Sequence, residues 1–250
     1  MDGSGLGEAR IGGPAQAEQR LVLLHGWGAD AGDLFELGEL LVGPEVSVVA
    51  LQAPLPHPAG SGRQWYDLQQ PGWPQLPGAL HDLRRRLAVL QQSVPLQRTV
   101  VLGFSQGAAM AIHAVTGGAL TSSGSGGGGG SGSGSGSGGL DPTLAQGLKP
   151  GLEVGFDGAA IEVAGLVGCS GYPHPEWHPG AGLLEGLNTK VLLTHGEQDP
   201  VVPHGASIEL ERLLVEAGAQ VELLSFNGGH TIEPGLFEPI RTFMTTCWSS

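Results

Sequence analysis

Cysteine is scarce in this chain, with only Cys169 and Cys247 among 250 residues. So small a supply excludes a disulfide-stapled fold, and a chain of this length buries a full core without staples. No signal segment precedes the two thiols, so both are expected to be reduced and the protein cytoplasmic, with Cys169 a small core residue of the apolar stretch 164–170. Basic residues are also few, 11 Lys and Arg against 24 Asp and Glu, for a formal charge of −13. Nucleic acid and anionic membranes both select a basic face, so neither is expected as a partner. The one dense basic cluster, Arg84-Arg85-Arg86, falls within a helical pattern whose apolar stripe is Leu80, Leu83, Leu87 and Leu90, and is expected to be a solvated face. No apolar run approaches the roughly 18 residues of a membrane span, so stable membrane insertion is not expected. The cysteines and histidines show no metal-ligand spacing, and no metal or cofactor is expected.

Glycine is the opposite case, with 45 residues. From Ser122 to Gly139 every position is Ser or Gly. Such a run has no apolar surface to offset its ordering entropy, so a flexible coil is expected, at the centre of an insertion at about 117–160. Residues 1–19 are small, polar and Gly-rich, and are expected to form a loose N-terminal segment. The remainder, 20–246, reads as a single domain. Short apolar strands at 20–24, 46–51, 99–102, 164–170, 190–194 and 220–226 alternate with helical patterns at 33–41, 77–92, 105–115, 204–217 and 234–246. That alternation implies an α/β fold with a doubly wound, mostly parallel sheet, whose site lies at the carboxyl ends of the strands. The Pro- and Gly-rich stretch 56–78 reads as a long loop over those ends, and loops of that length are usually functional.

Of all the serines, only Ser105 has glycine two positions before and two positions after it, in Gly103-Phe104-Ser105-Gln106-Gly107. An apolar strand precedes this pentapeptide and the small-residue helix Ala108-Ala109-Met110-Ala111 follows. A nucleophile elbow needs that context, because its turn is strained and its neighbours must lack bulk. The loop after strand 190–194 holds Asp199, the candidate acid that would orient a histidine. The loop after strand 220–226 holds His230, the candidate general base. The chain order Ser, Asp, His is that of the α/β-hydrolases. Upstream, strand 20–24 ends in His25-Gly26-Trp27-Gly28. The backbone amides of Trp27 and Gln106 are the candidate oxyanion donors.

Leu24-His25-Gly26-Trp27-Gly28, Gly103 to Ala108, His195-Gly196-Glu197-Gln198-Asp199-Pro200-Val201-Val202-Pro203 and Gly229-His230 together resemble the phospholipase/carboxylesterase family of α/β-hydrolases, which includes the acyl-protein thioesterases. The likeness covers roughly 20–115 and 163–245. It implies an α/β-hydrolase sheet carrying the Gly/Ser-rich insertion. It also implies a cytosolic serine esterase with Ser105, Asp199 and His230 as triad and the Trp27 and Gln106 amides as oxyanion hole. Gly62-Arg63-Gln64-Trp65-Tyr66-Asp67 is similar to a family segment in which the Trp65 position approaches the active site, so Trp65 is expected to line the acyl site.

The expected activity is hydrolysis of a small-molecule carboxylic ester through an acyl-enzyme. The Pro-rich stretch 71–77 and the Gly/Ser insertion depart from the long-chain acyl-protein thioesterases, which favours short or medium acyl chains. Acyl-protein or lysophospholipid hydrolysis is the enzymatic alternative, and a non-catalytic binding module on the same fold is the alternative of another class. The oligomeric state is not readable from the sequence.

Overall fold

A computed structural model describes residues 6–14, 16–118, 159–175, 177–180 and 187–249. The Ser/Gly run 122–139 lies outside the described residues, as does all of the 117–160 insertion except its edges. Strands β1 (Ala9–Gly12), β2 (Arg20–Leu24), β3 (Ser47–Leu51), the two-residue β4 (Leu55–Pro56) and β5 (Arg63–Gln64), β6 (Thr99–Phe104), β7 (Gly165–Cys169), β8 (Lys190–Gly196) and β9 (Gln220–Phe226) alternate with helices. The helices are α1 (Ala31–Leu41), α2 (Leu76–Leu90), α3 (Gln106–Thr116), α4 (Gly205–Glu216) and α5 (Phe237–Trp248). Seven strands form one sheet in the order β1-β3-β2-β6-β7-β8-β9, parallel throughout except for β1. β4 and β5 pair apart from it.

The central strands are apolar on both faces because both faces are covered. Val22, Leu24 and Val101 point into a core with residues of α2, α3 and α4, whereas Leu21, Leu23, Val100 and Leu102 point into a second core with α1 and α5. This is a doubly wound sheet. Asp30 starts α1 two residues earlier than the apolar pattern suggested: its carboxylate accepts from Gly32 N, and Asp33 returns a bond to the Asp30 amide. Helix α3 has no exposed residue from Gln106 to Thr116, and it packs on α2 and against β2, β6 and β7. Its run of alanines permits that closeness.

Two expectations change. The N-terminal segment is not uniformly loose, because residues 9–12 form β1, antiparallel to β3 with Ile11 opposite Val49. Backbone pairing at the sheet edge holds it, and its side chains carry no apolar alternation. The arginine cluster is not a solvated face either. Arg84 and Arg86 are buried. Arg84 donates to the carbonyls of Ala114 and Ala159, and Arg86 donates to the Gln52 carbonyl and pairs with Asp82 at 2.7 Å. Burial lowers the Arg86 pKa, and Asp82 opposes that shift. Carbonyls left open at the last turn of α3 and at the end of β3 attract these guanidinium groups inward. Cys169 and Cys247 are free and buried, and burial pushes both thiols up to about 11. No described helix is long and apolar enough to cross a membrane.

Candidate active site

Parallel strands leave their loops together at one edge, and the residues singled out in the sequence collect there. Ser105 follows β6 with φ 53° and ψ −118°, a strained conformation for a residue with a side chain. Its amide donates to the Cys169 carbonyl at 2.8 Å, which pins the turn to the end of β7. Bulk is excluded on both sides. A Cβ on Gly103 would stand 2.4 Å from the Gly107 carbonyl oxygen, and one on Gly107 would stand 2.1 Å from that of Leu24. The strain persists because surrounding backbone leaves the turn no alternative.

Asp199 and His230 meet across the adjacent loops of β8 and β9. His230 Nδ1 lies 2.6 Å from Asp199 Oδ2. The other carboxylate oxygen accepts the amides of Val201 and Val202 at 2.8 and 2.9 Å. Burial by itself would raise the Asp199 pKa, but the bonds from His230, Val202 and Val201 together outweigh it and hold the carboxyl below its ordinary value. An ionised Asp199 only accepts, so the proton sits on His230 Nδ1 and Nε2 keeps a free lone pair. Phe104 packs tilted against the His230 ring at 4.8 Å between centroids, which carries the imidazole to the residue preceding Ser105. Among the described residues no hydrogen bond joins the Ser105 hydroxyl to His230. Such bonds are commonly long in unliganded hydrolases and tighten with substrate.

The Gln106 amide is the first of α3 and has no acceptor within the helix. Among the described residues neither it nor the Trp27 amide has a hydrogen-bond partner. Trp65 is placed differently from its expected acyl-lining position. It is fully buried, its indole N–H donating to the His25 carbonyl at 2.9 Å, so it braces the His25-Gly26 turn from inside. Two half-buried aromatics, Trp73 and Tyr172, pack against Tyr66 nearby.

Sequence reasoning gave His195 no role. It is fully buried, with Nδ1 accepting the Ser207 hydroxyl at 2.6 Å and Nε2–H shared between the Val202 carbonyl at 2.9 Å and Asp199 Oδ2 at 3.3 Å. Burial lowers its pKa, opposed by Val202 and Asp199, so it stays neutral. It is therefore a fourth donor to Asp199, after His230, Val201 and Val202, and its place four residues before Asp199 in the HGxxD pattern was the available signal. No group of His, Cys, Asp or Glu among the described residues could hold a metal ion. A cleft of about 420 Å³ lies between Leu41, Val46 and α5 and touches none of these groups.

The family model of Phospholipase/Carboxylesterase matches residues 7–128 and 157–248. No curated protein matches the sequence. Among solved structures the chain is similar to esterase PE8, with 22% identity, 96% of this chain and 98% of that one covered, and a TM-score of 0.69. It is similar to the Bacillus cereus carboxylesterase at 18% identity, covering 96% and 94%, with a TM-score of 0.67. It is also similar to a phospholipase/carboxylesterase of Dyadobacter fermentans at 21% identity, covering 95% and 96%, with a TM-score of 0.64. These likenesses concern the fold. The match to the family model extends over most of the chain, and the chain belongs to the phospholipase/carboxylesterase family of α/β-hydrolases.

Proposed function

We propose that the chain hydrolyses carboxylic esters of short or medium acyl chains through an acyl-enzyme on Ser105. The carrying observation is the 2.6 Å bond between His230 Nδ1 and an Asp199 carboxylate that two further amides keep ionised. That bond fixes the tautomer that leaves His230 Nε2 able to take a proton. Nε2 takes the Ser105 proton as the hydroxyl oxygen attacks the ester carbonyl. The imidazolium formed is stabilised by Asp199. The carbonyl oxygen becomes negative, and the Trp27 and Gln106 amides donate to it; one such donor is worth about 3 kcal/mol in the transition state. His230 then returns the proton to the departing alcohol. Water, deprotonated by the same nitrogen, attacks the acyl-enzyme carbonyl, and His230 passes that proton to the departing Ser105 oxygen as the carboxylic acid is released.

Trp73 and Tyr172 support an apolar acyl group, because both are aromatic residues only partly buried. Tyr172 lies three residues beyond the one that accepts the Ser105 amide. The test is Ser105→Ala on a p-nitrophenyl ester series of increasing chain length. Turnover should fall about a millionfold, by comparison with loss of the nucleophile in another serine hydrolase. Labelling by a fluorophosphonate should disappear with it. A variant that still turns over the ester removes the proposal.

A further inference from the structure

We propose that the Gln106 side chain and Trp65 form a positioning clasp that sets the separation of the two oxyanion amides, those of Trp27 and Gln106; this rests on the ester-hydrolase reading above. The two amides belong to different loops, one leaving β2 and the other leaving β6. A donor works only when it lies about 2.7–3.1 Å from the oxyanion, so the two loops have to be held to each other.

The segment 63–66 lies between them and bonds to both. On the elbow side, Gln106 Oε1 accepts the Trp65 amide at 3.0 Å, and Gln106 Nε2 donates to the Tyr66 carbonyl at 2.8 Å. Both ends of the carboxamide are engaged, so the side chain has one orientation. On the other side the Trp65 indole N–H donates to the His25 carbonyl at 2.9 Å. The Gly28 amide donates to the Arg63 carbonyl at 2.9 Å, and the Arg63 amide donates to that of Ala29 at 2.7 Å. The Trp27 indole N–H reaches Gln64 Oε1 at 2.8 Å. Trp27 is thus held on both flanks and by its own ring.

His25 completes the connection. The Ala53 amide donates to its Nε2 at 3.1 Å, which puts the ring proton on Nδ1, and Nδ1 donates to the Gly26 carbonyl at 2.8 Å. The restraint therefore runs from the Gln106 backbone through its carboxamide, Trp65 and the His25-Gly26 turn to the Trp27 amide. Gln106, Trp65 and His25 are each at most 1% exposed, so water cannot replace a lost member. A buried clasp whose every polar group is satisfied makes a rigid unit, and a broken one leaves an orphaned carbonyl next to the donors.

The experiment uses the full chain with Gln106→Met, Trp65→Phe and the double variant. Gln106→Met nearly preserves volume, and Trp65→Phe keeps an aromatic ring without its N–H. Each single variant should lose about tenfold to a hundredfold in kcat on p-nitrophenyl butyrate with KM within about twofold. Affinity for a trifluoromethyl ketone, whose adduct carries the oxyanion, should weaken in parallel. The double variant should fall no further than the worse single one, because both break one connection. Whichever variant melts like the parent decides the matter. Unchanged kcat, or a loss confined to KM with ketone affinity intact, overturns the clasp while leaving the hydrolase reading in place. A parent chain that neither hydrolyses the ester nor takes a fluorophosphonate on Ser105 overturns both.

Discussion

Replacing Asp199 by asparagine keeps the shape of the side chain, and the surrounding donors dictate how the new amide must orient. Val201 and Val202 point their amides at Oδ1 from 2.8 and 2.9 Å, so the asparagine carbonyl has to take that position. The NH2 then replaces Oδ2, 2.6 Å from His230 Nδ1 and 3.3 Å from His195 Nε2. It can only donate. His230 must accept with Nδ1 and carry its proton on Nε2, the nitrogen that has to receive the Ser105 proton. The base is then in the wrong tautomer, and kcat at neutral pH should fall about ten-thousandfold. That is about 5 kcal/mol of transition-state stabilisation. Ester hydrolysis by Asp199→Asn, measured beside Ser105→Ala as the background, is the assay. A variant that keeps more than about a tenth of parental kcat refutes the tautomer argument. Stability gives an independent reading. The native carboxyl is held below its ordinary value, so it adds stability above the unfolded value of about 3.9 and loses it as pH falls through the native one. The acid decline of the melting temperature should therefore be shallower in Asp199→Asn.

Three further outcomes are expected. Gly107→Ala places a Cβ 2.1 Å from the Leu24 oxygen and 2.6 Å from that of His25; both are backbone, so urea unfolding should show a loss above about 3 kcal/mol. Arg86→Met strands the Gln52 carbonyl and leaves Asp82 with Arg85 as its one cation among the described residues, and the same measurement should show a loss of about 2 kcal/mol. Burial depresses the His113 pKa to about 4, against about 6.5 unfolded, so the native state binds fewer protons; stability present above 6.5 declines as pH falls towards 4. His113→Gln should flatten the melting-temperature profile in that window, and an unchanged slope would contradict the assignment.

The parallel strands were legible because each is a short apolar run between turn-forming residues, and burial on both faces demands that composition. β1 was not legible: Ala-Arg-Ile-Gly has no alternation, and β3 alone makes it a strand. The arginines were misread because a charged triplet on a helix says nothing of the carbonyls it will meet, and Arg84 finds one 75 positions away in Ala159. Trp65 reads in sequence as a ring beside a site. Only the fold shows that its amide meets Gln106, 41 positions on, and that its indole meets His25, 40 positions back. Ser105, Asp199 and His230 stood out because each follows an apolar strand and their order matches a known arrangement. The neutral His195 did not, since its place in the HGxxD pattern gives no hint of Ser207, the helix residue whose hydroxyl completes its bonding.

Helix α3 has no side that looks outward. All of its residues are enclosed by α2 and the sheet, so an enlarged side chain has to displace one of those layers, and the serine stands at its amino end. On the proposed ester-hydrolase reading, acyl preferences are therefore not to be tuned from this helix. On the same reading the stretch around Trp73 and the exit from β7, where Trp73 and Tyr172 are only half-buried, is the place to change them.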